Sequence, residues 1–229
     1  MYSVRTVVAL VVSGLALLAA CIVLSCMPAR AATPDDRAGP YRYTEYPSPV
    51  ATGRMLSIYI DRDFSDYERD RILFAIRQWN HVLNGFLQLR PVLLPGQPSP
   101  AALAQIHRPG SWFVARIDSR HPVARQPEAR QSLAMTIGGS NGGFVYVISD
   151  RFDQRELTGV VLHELGHALG AGHDERGHLM APFYQASNMH CVDRGAVAMV
   201  AAAQRLPLSQ LNWCQGPGLP SSGLEARAR

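Results

Sequence analysis

Residues 55–61, Met-Leu-Ser-Ile-Tyr-Ile-Asp, alternate and are rich in β-formers, so they predict a first strand. Ser65 or Asp66 can cap the helix that follows. Ile72, Leu73, Ile76, Trp79, Val82 and Leu83 then recur at three- and four-residue spacing, the mark of one buried helical face. Asn84-Gly85 ends that helix, and residues 86–92 give a second strand. Residues 94–110 are Pro-rich and poorly periodic, with a short helical turn at 101–106. Residues 111–117 predict a third strand, and 118–131 a polar loop holding Pro122 and Pro127. A short strand at 132–136, a glycine-rich hairpin turn at 138–143 and an apolar strand at 143–149 come next. Val160, Val161, Leu162, Leu165, Ala168 and Leu169 then mark an apolar helix that begins near Glu156 or Thr158. Asp193 can cap a last helix running to about Gln204, with Val197, Val200 and Ala201 facing the core, and 208–213 form a short closing segment.

The flanks differ from this interior. Residues 1–32 carry Arg5 followed by an apolar run from Thr6 to Leu24, the pattern of a targeting segment. Three fates are open: cleavage at Ala29-Arg30-Ala31, lipid attachment at Cys21 in Leu18-Ala19-Ala20-Cys21, or retention as a membrane anchor. Each places the following domain outside the cytoplasm, secreted or periplasmic, and cleavage is the favoured reading. Residues 33–53 read as a linker or N-terminal arm lying along the domain, 54–215 as one folded domain, and 216–229 as a disordered tail.

Composition adds little constraint and one exclusion. The 229 residues carry a formal charge of +4, and all 22 basic residues are arginine. No basic cluster with interleaved aromatics occurs, which argues against nucleic-acid binding. Membrane contact is expected only through the N-terminal segment, and the domain is read as a monomer. Of four cysteines, Cys191 and Cys214 lie in the domain and should pair in an exported protein.

The chemistry sits on the apolar helix. His163-Glu164-Leu165-Gly166-His167 reads H-E-x-x-H. Residues four apart in a helix stand one above the other, so His163 and His167 can face one metal ion. Glu164 is then within reach of a water at that metal. Gly170 accepts the left-handed conformation that ends a helix, and the chain can return His173 as a third ligand. Three protein ligands leave a tetrahedral zinc one open position, the arrangement of a catalytic site. His107 and His121 lack companions at ligand spacing and read as surface or turn histidines.

The extended pattern from His163 through Gly170 to His173, with Met180 seven residues on, resembles the metzincin clan of zinc proteases. The run Met180-Ala181-Pro182-Phe183-Tyr184 is similar to the matrixin branch. The order of elements from Met55 to Cys214 also resembles that branch, but only 163–184 is specific. The resemblance implies a single α+β domain: a twisted mixed sheet with an antiparallel edge strand, an active-site helix and a C-terminal helix. It implies one catalytic Zn2+, with Glu164 as general base. Met180 would form an apolar floor under the histidines, and Pro182 and Tyr184 the wall of a substrate pocket. Gly159, one turn before His163 on the same helix face, would either deepen that pocket or serve packing. Met135 stands where the branch has a histidine for a second, structural zinc, so one ion is expected. Calcium near the glycine-rich turn is a further possibility, and Asp174 stands where matrixins have serine.

The function implied is an exported endopeptidase whose peptide or protein substrate lies extended along the edge strand. Two alternatives stay open: a zinc hydrolase of cell-wall or other non-protein amides, and a zinc-bearing binding module without catalysis. The intact Glu164 argues against the last.

Overall fold

The computed structural model describes residues 42–47, 53–94, 109–139, 142–175, 178–183 and 191–215. The targeting segment, the helical turn at 101–106, His107, Tyr184 and the tail lie outside these residues.

Five strands form one sheet in the order β3-β2-β4-β6-β5. They are β2 (Arg54–Ile60), β3 (Leu87–Leu93), β4 (Ser111–Ile117), β5 (Ala134–Gly139) and β6 (Gly142–Ile148). The pairings β2–β3, β2–β4 and β4–β6 are parallel, and β5 runs antiparallel to β6 at one edge. Pro91 sits in β3, the opposite edge, where a missing donor costs no interior ladder bond. A separate two-stranded ladder pairs β1 (Arg42–Tyr43) with β7 (Cys214–Gln215), antiparallel.

Helix α1 (Asp66–Leu83) starts with a reciprocal capping box between Ser65 and Glu68 and ends with Asn84 in the left-handed region. Its Ile72, Ile76, Trp79, Val82 and Leu83 are buried, as the spacing predicts, together with Ala75, while Leu73 is half-buried. The Trp79 indole N–H donates to the Leu162 carbonyl at 3.0 Å, which ties α1 to α2 (Leu157–Ala168). Helix α3 (Arg194–Gln204) is capped by Asp193 and buries Ala196, Val197, Val200 and Ala201. Strands, α1, α2 and α3 share one core in which Ile60, Ile72, Val114, Val161, Leu165 and Val200 are fully enclosed. This is an α+β architecture with a mixed sheet and an antiparallel edge strand, as expected.

The segment 118–131 differs from the simple loop that its polarity predicts. It forms two 3-10 turns, Val123–Arg125 and Pro127–Ala129, which bury Ala124 and Ala129. The Arg151 guanidinium gathers it by donating to the carbonyls of Ala124 (3.0 Å), Ser132 (2.7 Å) and Ala129. The β5–β6 hairpin needs its glycines for close packing. Gly138 and Gly143 face each other in register, and a Cβ on either would stand 3.0 or 2.9 Å from the Trp112 ring.

Among the described residues no helix is long and apolar enough to cross a membrane. Residues 42–47 pack against α1 and the segment before α3. The Tyr43 hydroxyl donates to the Gln78 side chain and accepts from the Val192 N–H at 3.2 Å, and its ring meets His81 edge-on. Cys191 and Cys214 form a disulfide, with Cα atoms 6.0 Å apart.

Candidate metal centre

Helix α2 presents the site. A 3-10 turn at Gln154–Glu156 leads in, with Asp153 and Glu156 capping each other. The exit is a Schellman turn: the Ala171 N–H reaches the Gly166 carbonyl (2.9 Å) and the Gly170 N–H the His167 carbonyl (2.9 Å). Gly170 takes φ +94, which glycine adopts without the Cβ clash. The chain reverses there and returns His173 to the helix.

The Nε2 of His167 lies 3.0 Å from Nε2 of His163 and 3.1 Å from Nε2 of His173. Two ring orientations are fixed from outside the cluster. His163 Nδ1–H donates to the Leu179 carbonyl at 2.6 Å, and His167 Nδ1–H to the Ala171 carbonyl at 2.9 Å. With Nδ1 carrying the proton, each neutral ring turns its Nε2 lone pair inward. Lone pairs facing each other at 3.0 Å repel unless a cation lies between them. A tetrahedral zinc with bonds of about 2.0–2.1 Å sets its nitrogens roughly 3.3 Å apart, so the donor set fits that ion. Among the described residues, His163, His167 and His173 form the cluster that can hold a metal.

Burial keeps the His163 and His167 imidazoles neutral, which is the ligand form. Desolvation pushes His163 down to about 4, against the opposing effect of the Leu179 hydrogen bond. It lowers His167 as well. Glu164 is shifted the other way: burial raises it to about 7, partly offset by a hydrogen bond from Thr136. A cation at the histidines acts on Glu164 in the opposite sense, favouring the carboxylate.

The floor of the site is built by the segment after His173. Met180 is fully buried beneath α2, against Gly166. Leu179 is held on both sides of its peptide: its carbonyl accepts from His163, and its N–H donates to Asp193 Oδ2 at 2.9 Å. Asp193 Oδ1 meanwhile caps α3 through Gly195 (2.8 Å) and Ala196 (3.2 Å). The Asp174 N–H closes the turn by donating to the Met180 carbonyl at 2.9 Å.

A cleft of about 880 Å3 opens over the three histidines and Glu164. Residues of β5 line one side, and Pro182 and Phe183 another. Gly159 is buried inside α2, and the residues of that helix that line the cleft are Val160, His163, Glu164, His167 and Ala168. A feature that sequence reasoning missed is Thr136, whose hydroxyl donates to Glu164 Oε2 at 2.5 Å. Strand alternation puts Thr136 on the same face as Ala134 and Gly138, which was the available signal.

The matrixin family model matches residues 99–198, a span that contains the β5–β6 hairpin, α2 and all three histidines. Among solved structures, metalloproteinase-II of Bacteroides fragilis is similar at a TM-score of 0.48 and 13% identity, over 70% of this chain and 56% of that one. High choriolytic enzyme 1, a hatching-enzyme zinc protease of the medaka Oryzias latipes, gives 0.33 and 17%, over 58% and 52%. Myroilysin gives 0.33 and 14%, over 58% and 55%. The chain thus spans little more than half the length of these structures. No curated protein matches it in sequence. The matrixin match lies across the three-histidine helix and its methionine floor, so residues 99–198 of this chain are similar to a matrixin domain.

Proposed function

We propose that the chain is an exported zinc endopeptidase. The observation that supports this reading most strongly is the convergence of three imidazole nitrogens beside a buried glutamate in an open cleft. His163, His167 and His173 would hold one zinc ion. Bound there, zinc supplies a Lewis acid for the scissile carbonyl and acidifies water towards neutrality. The remaining work falls to the chain's own groups. Glu164 would take a proton from the attacking water and return it to the departing amine. The peptide would lie extended against the outer edge of β5, which has no strand partner on that side among the described residues. Pro182 would wall the pocket for the residue after the scissile bond, together with Tyr184. Met180 would support the histidines from below. The Cys191–Cys214 disulfide fits an oxidising compartment, as does a targeting segment at residues 1–32.

The test is cleavage of a peptide library by the zinc-loaded chain, read by mass spectrometry beside Glu164→Ala. Internal cuts should appear, vanish in the variant, stop on chelation and return with zinc. If zinc binds and the wild type cuts nothing, the endopeptidase reading fails. A non-protein amide substrate or a binding role then takes its place.

A further inference from the structure

The Glu164 carboxylate has one hydrogen-bond partner among the described residues, and it comes from neither the metal cluster nor the active helix. It is Thr136, 28 positions earlier, on the edge strand β5. The Thr136 hydroxyl lies 2.5 Å from Glu164 Oε2 and 3.1 Å from the carbonyl oxygen of the same residue. It is therefore lodged between the backbone and the side chain of Glu164. Threonine suits the task. Its β-branch restricts χ1 and favours a strand, so the hydroxyl has a nearly fixed position. It is also a neutral donor and adds no charge beside the histidines.

We propose that Thr136 is a positioning residue: its hydroxyl pins the Glu164 carboxylate through Oε2 and leaves Oε1 for the cleft. This rests on the reading of Glu164 as the base. A glutamate side chain has three rotatable bonds, and an untethered carboxylate spends most of its time away from any one productive placement. A misplacement of about 1 Å at a reacting group costs on the order of 100-fold in rate. The tether also joins two parts of the site. The strand along which a peptide would lie is the strand that holds the base, so a peptide that shifts β5 shifts Glu164 with it.

The experiment uses the full chain with Thr136→Val, which is nearly isosteric and lacks the hydroxyl, and Thr136→Ser, which keeps it. On a peptide that the wild type cuts, Thr136→Val should lower kcat by about 10- to 100-fold. KM should stay within about twofold, and zinc affinity should be unchanged. Thr136→Ser should recover most of the lost kcat. A second readout needs no turnover: a double-mutant cycle on the zinc-free chain with Thr136→Val, Glu164→Ala and both together, followed by urea unfolding. The two changes should be non-additive by at least about threefold in the unfolding equilibrium constant. Additive effects, or a kcat for Thr136→Val within twofold of wild type, overturn the proposal. A loss in Thr136→Ser equal to that in Thr136→Val does so too. Should the wild type cut no peptide, the endopeptidase reading falls, and the cycle still decides whether Thr136 holds Glu164.

Discussion

The Met180 sulfur occupies the space that a side chain on Gly166 would need: a Cβ there would stand 2.5 Å from it. Gly166 is one residue before His167, in the last turn of α2. Glycine costs a helix interior about 1 kcal/mol relative to alanine, so propensity alone favours Gly166→Ala. Overpacking a filled core costs about 1–3 kcal/mol, and the atom in the way belongs to a fully buried residue. The packing cost should win. Gly166→Ala is expected to unfold at lower urea by a net of about 1 kcal/mol and to bind zinc more weakly. An unchanged or raised midpoint would show that Met180 moves aside freely.

Asp193 joins the last helix to the three-histidine cluster. One carboxylate oxygen caps α3, and the other accepts from Leu179, whose carbonyl orients His163. Asp193→Ala removes a cap worth about 1 kcal/mol and leaves a buried N–H unpaired at about 1–3 kcal/mol. A stability loss of about 2–4 kcal/mol is expected. Groups that orient metal-binding histidines change affinity by about 10- to 100-fold, so zinc binding should weaken in step. Calorimetric titration measures the second effect. A stability loss without any change in zinc affinity would limit Asp193 to a helix cap.

The arm residue Tyr43 makes stability depend on alkaline pH. Burial raises its phenol above the ordinary value, helped by the charge of Asp193 and opposed by the Val192 hydrogen bond. The folded state therefore holds the proton more tightly than the unfolded chain does. The associated stability is complete below about pH 10 and falls as pH rises past it, by less than about 1.4 kcal/mol per unit. Tyr43→Phe should show a shallower loss between about pH 10 and 11. Parallel curves for the two proteins would contradict this.

The disulfide spans 23 positions and anchors β7, the partner of the arm. Chain entropy gives about 3 kcal/mol for a loop of that size. The paired change Cys191→Ala and Cys214→Ala should cost about that much, and limited proteolysis should then cut near residues 42–47 first. Equal protection of the arm in both proteins would show that the bridge and the arm are independent.

Much of the fold was readable because its signals are local. The α1 face follows from the spacing of Ile72, Ile76, Trp79 and Leu83, and its ends from Ser65 and Asn84. The β4 range came out residue for residue, since Ser111 to Ile117 is a β-rich run between turn signals. The three histidines were legible because helix period and Gly170 act within eleven positions. What escaped depends on partners far along the chain. The 3-10 turns at 123–129 are stabilised by Arg151, more than twenty positions on, so nothing in their own polar sequence announced them. The bond from Thr136 to Glu164 has the same origin. Which residues of α2 border the cleft likewise depends on how β5 packs against that helix, and Val160 and Ala168 join the histidines and Glu164 there.

The β1–β7 ladder sets Arg42 opposite Gln215 and Tyr43 opposite Cys214. The folded domain is therefore almost a closed ring, with its entry and exit points side by side. Joining residue 215 to residue 42 through a few glycines and reopening the ring at an exposed turn would leave every pairing of the main sheet intact. A pull applied at residues 42 and 215 loads a two-residue ladder before it reaches α2.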